Sequence, residues 1–419
     1  DKVDPIFDDP NNKIIFGTEF SDRIILENAT NPGEMQVRFV GTRIYNLITP
    51  GFSSGIVFTN PSDSHSIYGL GGGEHIEVIS LYAAFSAELR VFGSRMPILS
   101  CLAIVPEDDG FVDTVVISGS INTQGGFLDV WADLIRVNAD VVIDTGDADI
   151  QLRARITGLP QLENLIPIYA SVRTVDIDIG ARAQLKGGGI YLVAQAEDKS
   201  IADLAGAPKE VDNFIIEPLI GKLSEVVALP VQLLVKNSKA TITIHDGARI
   251  EGSNTVGLYA TAAADASGSA FGSLFSIGYS RSVADAKIDI KSNAYIYSGA
   301  AVVIASTAES TADMSASTKR ESKSTPNAGT AQVAVALAVS DANATSNVIV
   351  AKDSHIEAAL TANIGAEGNT SSSASGTSGI YADGSAGLAF GLEFSNANIH
   401  TTVDGTVIAR ADPVIGYTV

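Results

Sequence analysis

Two aspartates set two residues apart are the first place in this chain to look for chemistry. In TVDIDIG, Asp176 and Asp178 alternate with Val175, Ile177 and Ile179, so a strand here points both carboxylates to one face. Asp289 in AKIDIK stands in a comparable phrase. Paired carboxylates on an outward strand face are the machinery of polysaccharide hydrolysis, one as acid and the other as base or nucleophile. In an acidic protein the same pattern arises from plain solvation of a strand face, and solvation is the expectation carried forward. The histidines, His65, His75, His245, His355 and His400, are scattered, with no H-E-x-x-H and no Cys/His cluster that would suggest zinc. His245 and His355 fall near turns and are expected to face water. The glycine runs Gly71–Gly73 and Gly187–Gly189 lack the Lys-Ser/Thr of a phosphate loop, and no G-x-S-x-G elbow occurs. Cys101, in PILSCLAIV, is expected as a small core residue.

Composition narrows the function classes. The 419 residues include 48 acidic and 27 basic side chains, a net charge of −21. A phosphate backbone needs a basic face, so nucleic-acid binding is not expected. Apolar residues make up 45%, enough to bury a core. No run of eighteen apolar residues exists, so no membrane span is expected. The first residues, DKVDPIFDDP, lack the basic start and apolar stretch of a signal peptide and do not begin with Met. A processed chain or a piece of a longer one is expected. The sequons at Asn28, Asn343 and Asn369 are those that chance supplies in an Asn/Ser/Thr-rich sequence.

These residues must be positioned by a phrase that recurs four times. It reads TVDIDIGARAQLKGGGIYLVAQAED at Thr174–Asp198 and ATITIHDGARIEGSNTVGLYATAAAD at Ala240–Asp265. It returns as AKIDIKSNAYIYSGAAVVIASTAES at Ala286–Ser310 and SNVIVAKDSHIEAALTANIGAEGNT at Ser346–Thr370, with a fragment, VDGTVIARAD, at Val403–Asp412. Each copy holds an alternating strand, a polar turn, one apolar residue (Leu185, Ile250, Ile296 or Ile356), a small-residue break and a second alternating strand. Ala/Ser-rich connectors at Ser269–Ala286, Thr330–Ala344 and Ser385–Ile399 separate the copies. Their small residues are expected where the chain flattens or turns a corner. A phrase plus a connector is expected to make two coils, and the whole a rod on the order of 70–90 Å long.

Too few apolar side chains face inward per copy to offset the backbone entropy of an isolated coil. Stacked copies bury a continuous column, expected to contain Ile177, Leu185, Ile242, Ile244, Ile250, Ile288, Ile296, Val348 and Ile356. The expected fold is all-β: a right-handed parallel β-helix (β-solenoid) behind a β-rich lead-in. Expected segments are a lead-in at 1–110, first coils at 111–198, an insertion at 199–235 with room for one short helix, and repeats at 236–419 with an exposed loop at 315–329. The repeat stops inside a unit, so the chain is expected to self-associate end to end as a homopolymer or to belong to a longer rod.

The phrase T-x-x-I-x-x-G-A-x-I-x-G-x-x-x-V-x-L-x-A-x-A, with its connectors, resembles the repeats of large bacterial surface exoproteins of the filamentous-haemagglutinin-like adhesin type, over about Val112–Val419. Copies are few and their lengths vary. The resemblance implies an extracellular, non-enzymatic, secreted cell-surface protein acting as stalk, fibre, sheath or adhesin. A glycan-binding adhesin and a polysaccharide-degrading β-helix enzyme are the alternatives. IIFGTEFSDRIIL (Ile14–Leu26) and IYGLGGGEHIEVISL (Ile67–Leu81) resemble degenerate RTX calcium-binding turns. That likeness makes Asp22 and Glu74 candidate calcium ligands, with Glu74 where the repeat has Asp, and calcium the candidate cofactor.

Overall fold

An alternating strand can bury its apolar face only under a neighbour, and each repeat supplies the neighbour of the one before. In a computed structural model of the chain, the described residues are 6–8, 11–17, 22–44, 47–48, 55–69, 72–93, 112–157, 167–198, 230–272, 275–319, 333–379, 386–410 and 414–418. They are all-β, without a helix, and gather into three sheets of eleven, twelve and seven strands, here sheets I, II and III. From Glu88–Phe92 onward the chain visits sheet I, sheet II and sheet III in turn. Each strand pairs in parallel with its counterpart one circuit later, as Val256–Gly272 does with Val302–Lys319.

One phrase plus its connector makes a single circuit, not the expected two coils. Sheet I therefore spans only about 48 Å from its eleven strands, well short of 70–90 Å. The lead-in is not a separate unit. Asn12–Phe16, Ser64–Tyr68 and Glu88–Phe92 already lie in sheet I, and Asp22–Asn28 and His75–Val78 in sheet II. The boundary expected at 110 falls outside the described residues, but both sheets continue across it. Antiparallel strands Ile6–Asp8 and Glu34–Ile44 lie against the first parallel strands, and Gly55–Thr59 pairs with Glu34–Ile44, so they occupy edges that would otherwise pair with another chain.

The core is a set of ladders in register. Sheet III carries Ile121, Ile143, Leu185, Ile250, Ile296, Ile356 and Val407 in one line. Sheet II carries Ile135, Ile177, Ile242, Ile288 and Val348. All nine expected core residues are fully buried in one cluster that runs from Ile15 to Ala366. The turn from sheet II to sheet III has a fixed form. It places one residue at positive φ in five successive circuits: Asp140, Arg182, Gly247, Asn293 and Asp353. Glycine takes that conformation at no steric cost, and the others hold it at about 1–2 kcal/mol each.

The connectors depart most from expectation. They are not corners but extensions of the phrase strands. Sheet I strands lengthen from 5 residues at Leu128–Ala132 to 18 at Val302–Lys319. Sheet II strands lengthen from 4 at Leu134–Val137 to 18 at Val333–Val350. The extra length projects beyond the three-sided core as a flange in which sheets I and II lie face to face. Val231–Val235, expected in the insertion, belong to the strand Val231–Ile244, and Ser315–Lys319, expected in the exposed loop, end the strand Val302–Lys319. Residues 199–229, 320–329 and Cys101 lie outside the described residues.

Candidate functional surfaces

Three side-chain ladders on sheet II follow from its register. The first holds the candidate acids. Asp178 aligns with Thr243 and then Asp289, so the two carboxylates sit two rungs apart, about 10 Å. Asp178 receives His245 Nε2 at 2.7 Å and lies 3.6 Å from Arg136 Nε. Asp289 is held by the ammonium groups of Lys287 and Lys291, each at 2.7 Å. Burial alone would raise the Asp289 carboxyl, but those two ammonium groups bring it below the usual range. Burial, and then the charge of Asp178, push Asp176 up. Asp178 and Asp289 are thus cation-paired carboxylates on an outward strand face. Chemistry by an acid and a base flanking a cleft would need a concavity between them, and the groove described below lies elsewhere on the sheet. His245 and His355 stand outward as expected, the latter stacked on Tyr295 with ring centres 5.4 Å apart.

The second ladder joins the calcium candidates. Arg23 pairs with His75, which places Asp22 and Glu74 on adjacent rungs, both buried. Asp113 and Asp133 continue the line, also buried. The backbone N–H of Glu74 donates to Asp113 Oδ1 at 2.9 Å, and that of Asp113 to Asp133 Oδ2 at 2.9 Å. Two of these carboxylates thus cap the amide just ahead of a neighbouring strand, where the ladder would otherwise leave a buried donor. Among the described residues, no three His, Cys, Asp or Glu side chains converge as metal ligands. The line Asp22, Glu74, Asp113, Asp133 was hidden in the sequence by its irregular spacing.

The third ladder lies on the outer face of the flange. Sequence reasoning passed over it. Val231, Ile277, Leu337 and Phe390 form one rung, and Leu233, Tyr279, Val339 and Leu392 the next. Phe275, Val335 and Leu388 form a third. Their partners across the pleat, Ser276, Gly278 and Ser280, then Ala334, Ala336 and Ala338, face sheet I and are buried. Phe275 is 52% exposed and Val333 55%. The outer face of sheet I in the same flange is polar, with Thr307, Glu309, Thr311 and Asp313 outward on one strand and Ser371 and Ser373 on the next. A groove of about 400 Å³ indents the apolar face between Tyr279, Val339, Asp341 and Phe394. The signal was present in FSIGY and VAVALAV as strict alternation of small and large residues. It was missed because these segments were read as connectors in which the chain flattens or turns a corner.

Small inward residues follow from how closely the flange sheets approach. Ser282 Oγ donates to the Ala264 carbonyl of the facing sheet at 2.7 Å and lies 2.8 Å from Ser310 Oγ. A Cβ on Gly278 would come within 2.3 Å of Met314 Sδ. At the root of the flange, Lys236 and Asp198 make an ion pair at 3.2 Å with almost no solvent exposure, and Ser171 Oγ donates to Asp198. No family model, no curated protein and no solved structure matches the chain.

Proposed function

We propose that the chain is a right-handed parallel β-helix serving as a structural rod of a bacterial cell surface. It would work outside the cell as a stalk, fibre or sheath element, without catalysis, and would associate with copies of itself. The observation that carries this is the unbroken register of the three sheets: seven apolar residues stacked in sheet III, from Ile121 to Val407. Right-handedness is supported by the crossover rule, since parallel strands joined across a layer are right-handed in about 98% of cases. A stack whose rungs repeat one shape transmits load along its axis and offers side chains at fixed spacing, which is what a stalk requires. The cation pairing of Asp178 and Asp289 favours a structural over a hydrolytic role for the acid ladder. Small-angle scattering and protease shaving of intact producing cells test the proposal. The expected result is an elongated particle and loss of the protein from shaved cells. A compact spherical particle, or complete protection inside unbroken cells, would overturn it. Reducing-sugar release from acidic polysaccharides, abolished by Asp176→Ala or Asp178→Ala, would establish the hydrolase instead.

A further inference from the structure

We infer that two copies of this chain pair laterally, flange to flange, through the outer face of sheet II. This specifies the self-association in the proposed function and rests on that part of it, but not on where the protein works. The patch spans four to five strands and about nine residues along the strand Val333–Val350, a footprint of roughly 20 by 30 Å. That is on the order of 600 Å² before the relief of the side chains is counted. A stable interface takes about 800 Å² of accessible surface from each partner, and a lone apolar patch on a monomer rarely exceeds 300–600 Å².

Charge selects the occupant. The chain carries −21, yet within this patch the charged side chains Arg281 and Asp341 face each other at 3.4 Å, so the face is neutral. A second copy can approach it without the repulsion that the rest of the surface would impose. Under a two-fold axis the patch meets itself, apolar rungs against apolar rungs, and the Arg281–Asp341 pair is self-complementary. Asn343 and Asn396 border the patch on the side of the core and supply a polar rim. The product is a four-layer stack in which both apolar faces are inside and both polar sheet I faces outside. An anionic lipid surface is a poorer match, because it attracts clustered Lys and Arg.

Sedimentation of the full chain across concentration tests the pairing. Wild type and Thr311→Glu, which alters the polar sheet I face, are expected to be dimers. Ile277→Glu and Leu337→Glu are expected to be monomers with unchanged circular dichroism. Arg281→Asp changes an already polar, exposed position and sets two acids side by side, so it keeps the claim testable if a glutamate variant misfolds. It should raise the dimer dissociation constant at least tenfold. A wild type that stays monomeric at 100 μM, on the order of a weak-interface concentration, overturns the inference. So does a dimer indifferent to all three sheet II variants. A monomer that floats with phosphatidylcholine vesicles, or that binds an oligosaccharide in the Tyr279–Phe394 groove, also overturns it by giving the face another occupant. Scattering from the monomeric sheet II variants, together with shaving of producing cells, decides the rod proposal whichever of these outcomes is found.

Discussion

The three-sided core and the flange are built from the same strands by opposite rules. Along Phe275–Ile290, the half nearest the core turns Ile288 and Ile290 inward, while the half in the flange turns Ser276, Gly278 and Ser280 inward and Phe275 and Ile277 outward. In the core, three sheets leave an interior wide enough for stacked Ile, Leu and Val, with Ala beside them. In the flange, two sheets lie so close that a hydroxyl reaches the opposing backbone, and the interior is mostly Ala, Ser and Gly, with Leu234 and Met314 packed among them. Core stability is therefore mainly apolar burial, whereas the flange combines a smaller apolar cluster around Leu234 and Met314 with backbone pairing and short cross-sheet hydrogen bonds. The comparison teaches that strand alternation alone does not say which parity is inside; the number of sheets around the interior decides it.

The largest expected effect lies at the seam between the two regions. Lys236→Met leaves the Asp198 carboxylate buried beside Ser171 without its ammonium partner. Stripping one member from a buried ion pair costs about 3–5 kcal/mol, so the variant should show that loss in urea unfolding. Lys236→Met combined with Asp198→Leu should recover most of it. If the single variant unfolds like wild type, the seam does not join core and flange energetically.

The core and the outer flange face should respond in opposite ways to the same truncation. Ile296→Ala removes a fully buried rung between Ile250 and Ile356 and should cost about 2–5 kcal/mol. Ile277→Ala, 43% exposed, should change the stability of the isolated chain by less than about 0.5 kcal/mol. Denaturant melts at protein concentrations low enough to exclude association would check both. Equal losses would mean that the flange face is covered within one copy.

Much of the core was legible in advance. Leu185, Ile250, Ile296 and Ile356 are single apolar residues between a polar turn and a small-residue break, a signature strong enough to place all four in one ladder. The flange was not, because Ala and Ser fit a corner, a connector or a close-packed sheet equally well by propensity. Only the sheet-to-sheet distance separates those cases, and that distance is a property of two strands far apart in sequence. The candidate acids were located on the correct face, but Arg136 and His245, the partners of Asp178, arrive from the preceding and following circuits. The capping acids Asp113 and Asp133 needed the same long-range register.

A pH titration distinguishes the amino-terminal core from the flange. Burial pushes His65 down to about 3 from an ordinary 6.5, with the nearby Lys13 charge adding to the effect. Its folded value is depressed, so the native state holds it neutral. Its full stability is present above pH 6.5 and is lost as pH falls, because the unfolded chain binds a proton that the folded chain excludes. The loss is about 1.4 kcal/mol per pH unit, hence about 2 kcal/mol between pH 6.5 and pH 5. His65→Leu should remove that slope, measured as the difference between wild-type and variant unfolding curves at the two pH values. Parallel pH profiles would show that His65 takes its proton without unfolding the strands around it.

The smallest effects test the flange interior one hydroxyl at a time. Ser282 bonds to the Ala264 carbonyl and faces Ser310, whereas the buried hydroxyl of Ser280, two residues away on the same strand, has no hydrogen-bond partner. Both side chains are fully buried, so the pair isolates the hydrogen bond from burial. Ser282→Ala should lower stability by about 1 kcal/mol, because it removes a donor to a buried carbonyl. Ser280→Ala should leave stability unchanged or raise it by up to about 1 kcal/mol, because it deletes a desolvated hydroxyl that gains nothing in return. Thermal melts of the two variants, measured side by side, read this difference directly. If both lose the same amount, the flange is held by side-chain volume alone, and the cross-sheet bonds have no part in fixing how closely sheets I and II approach.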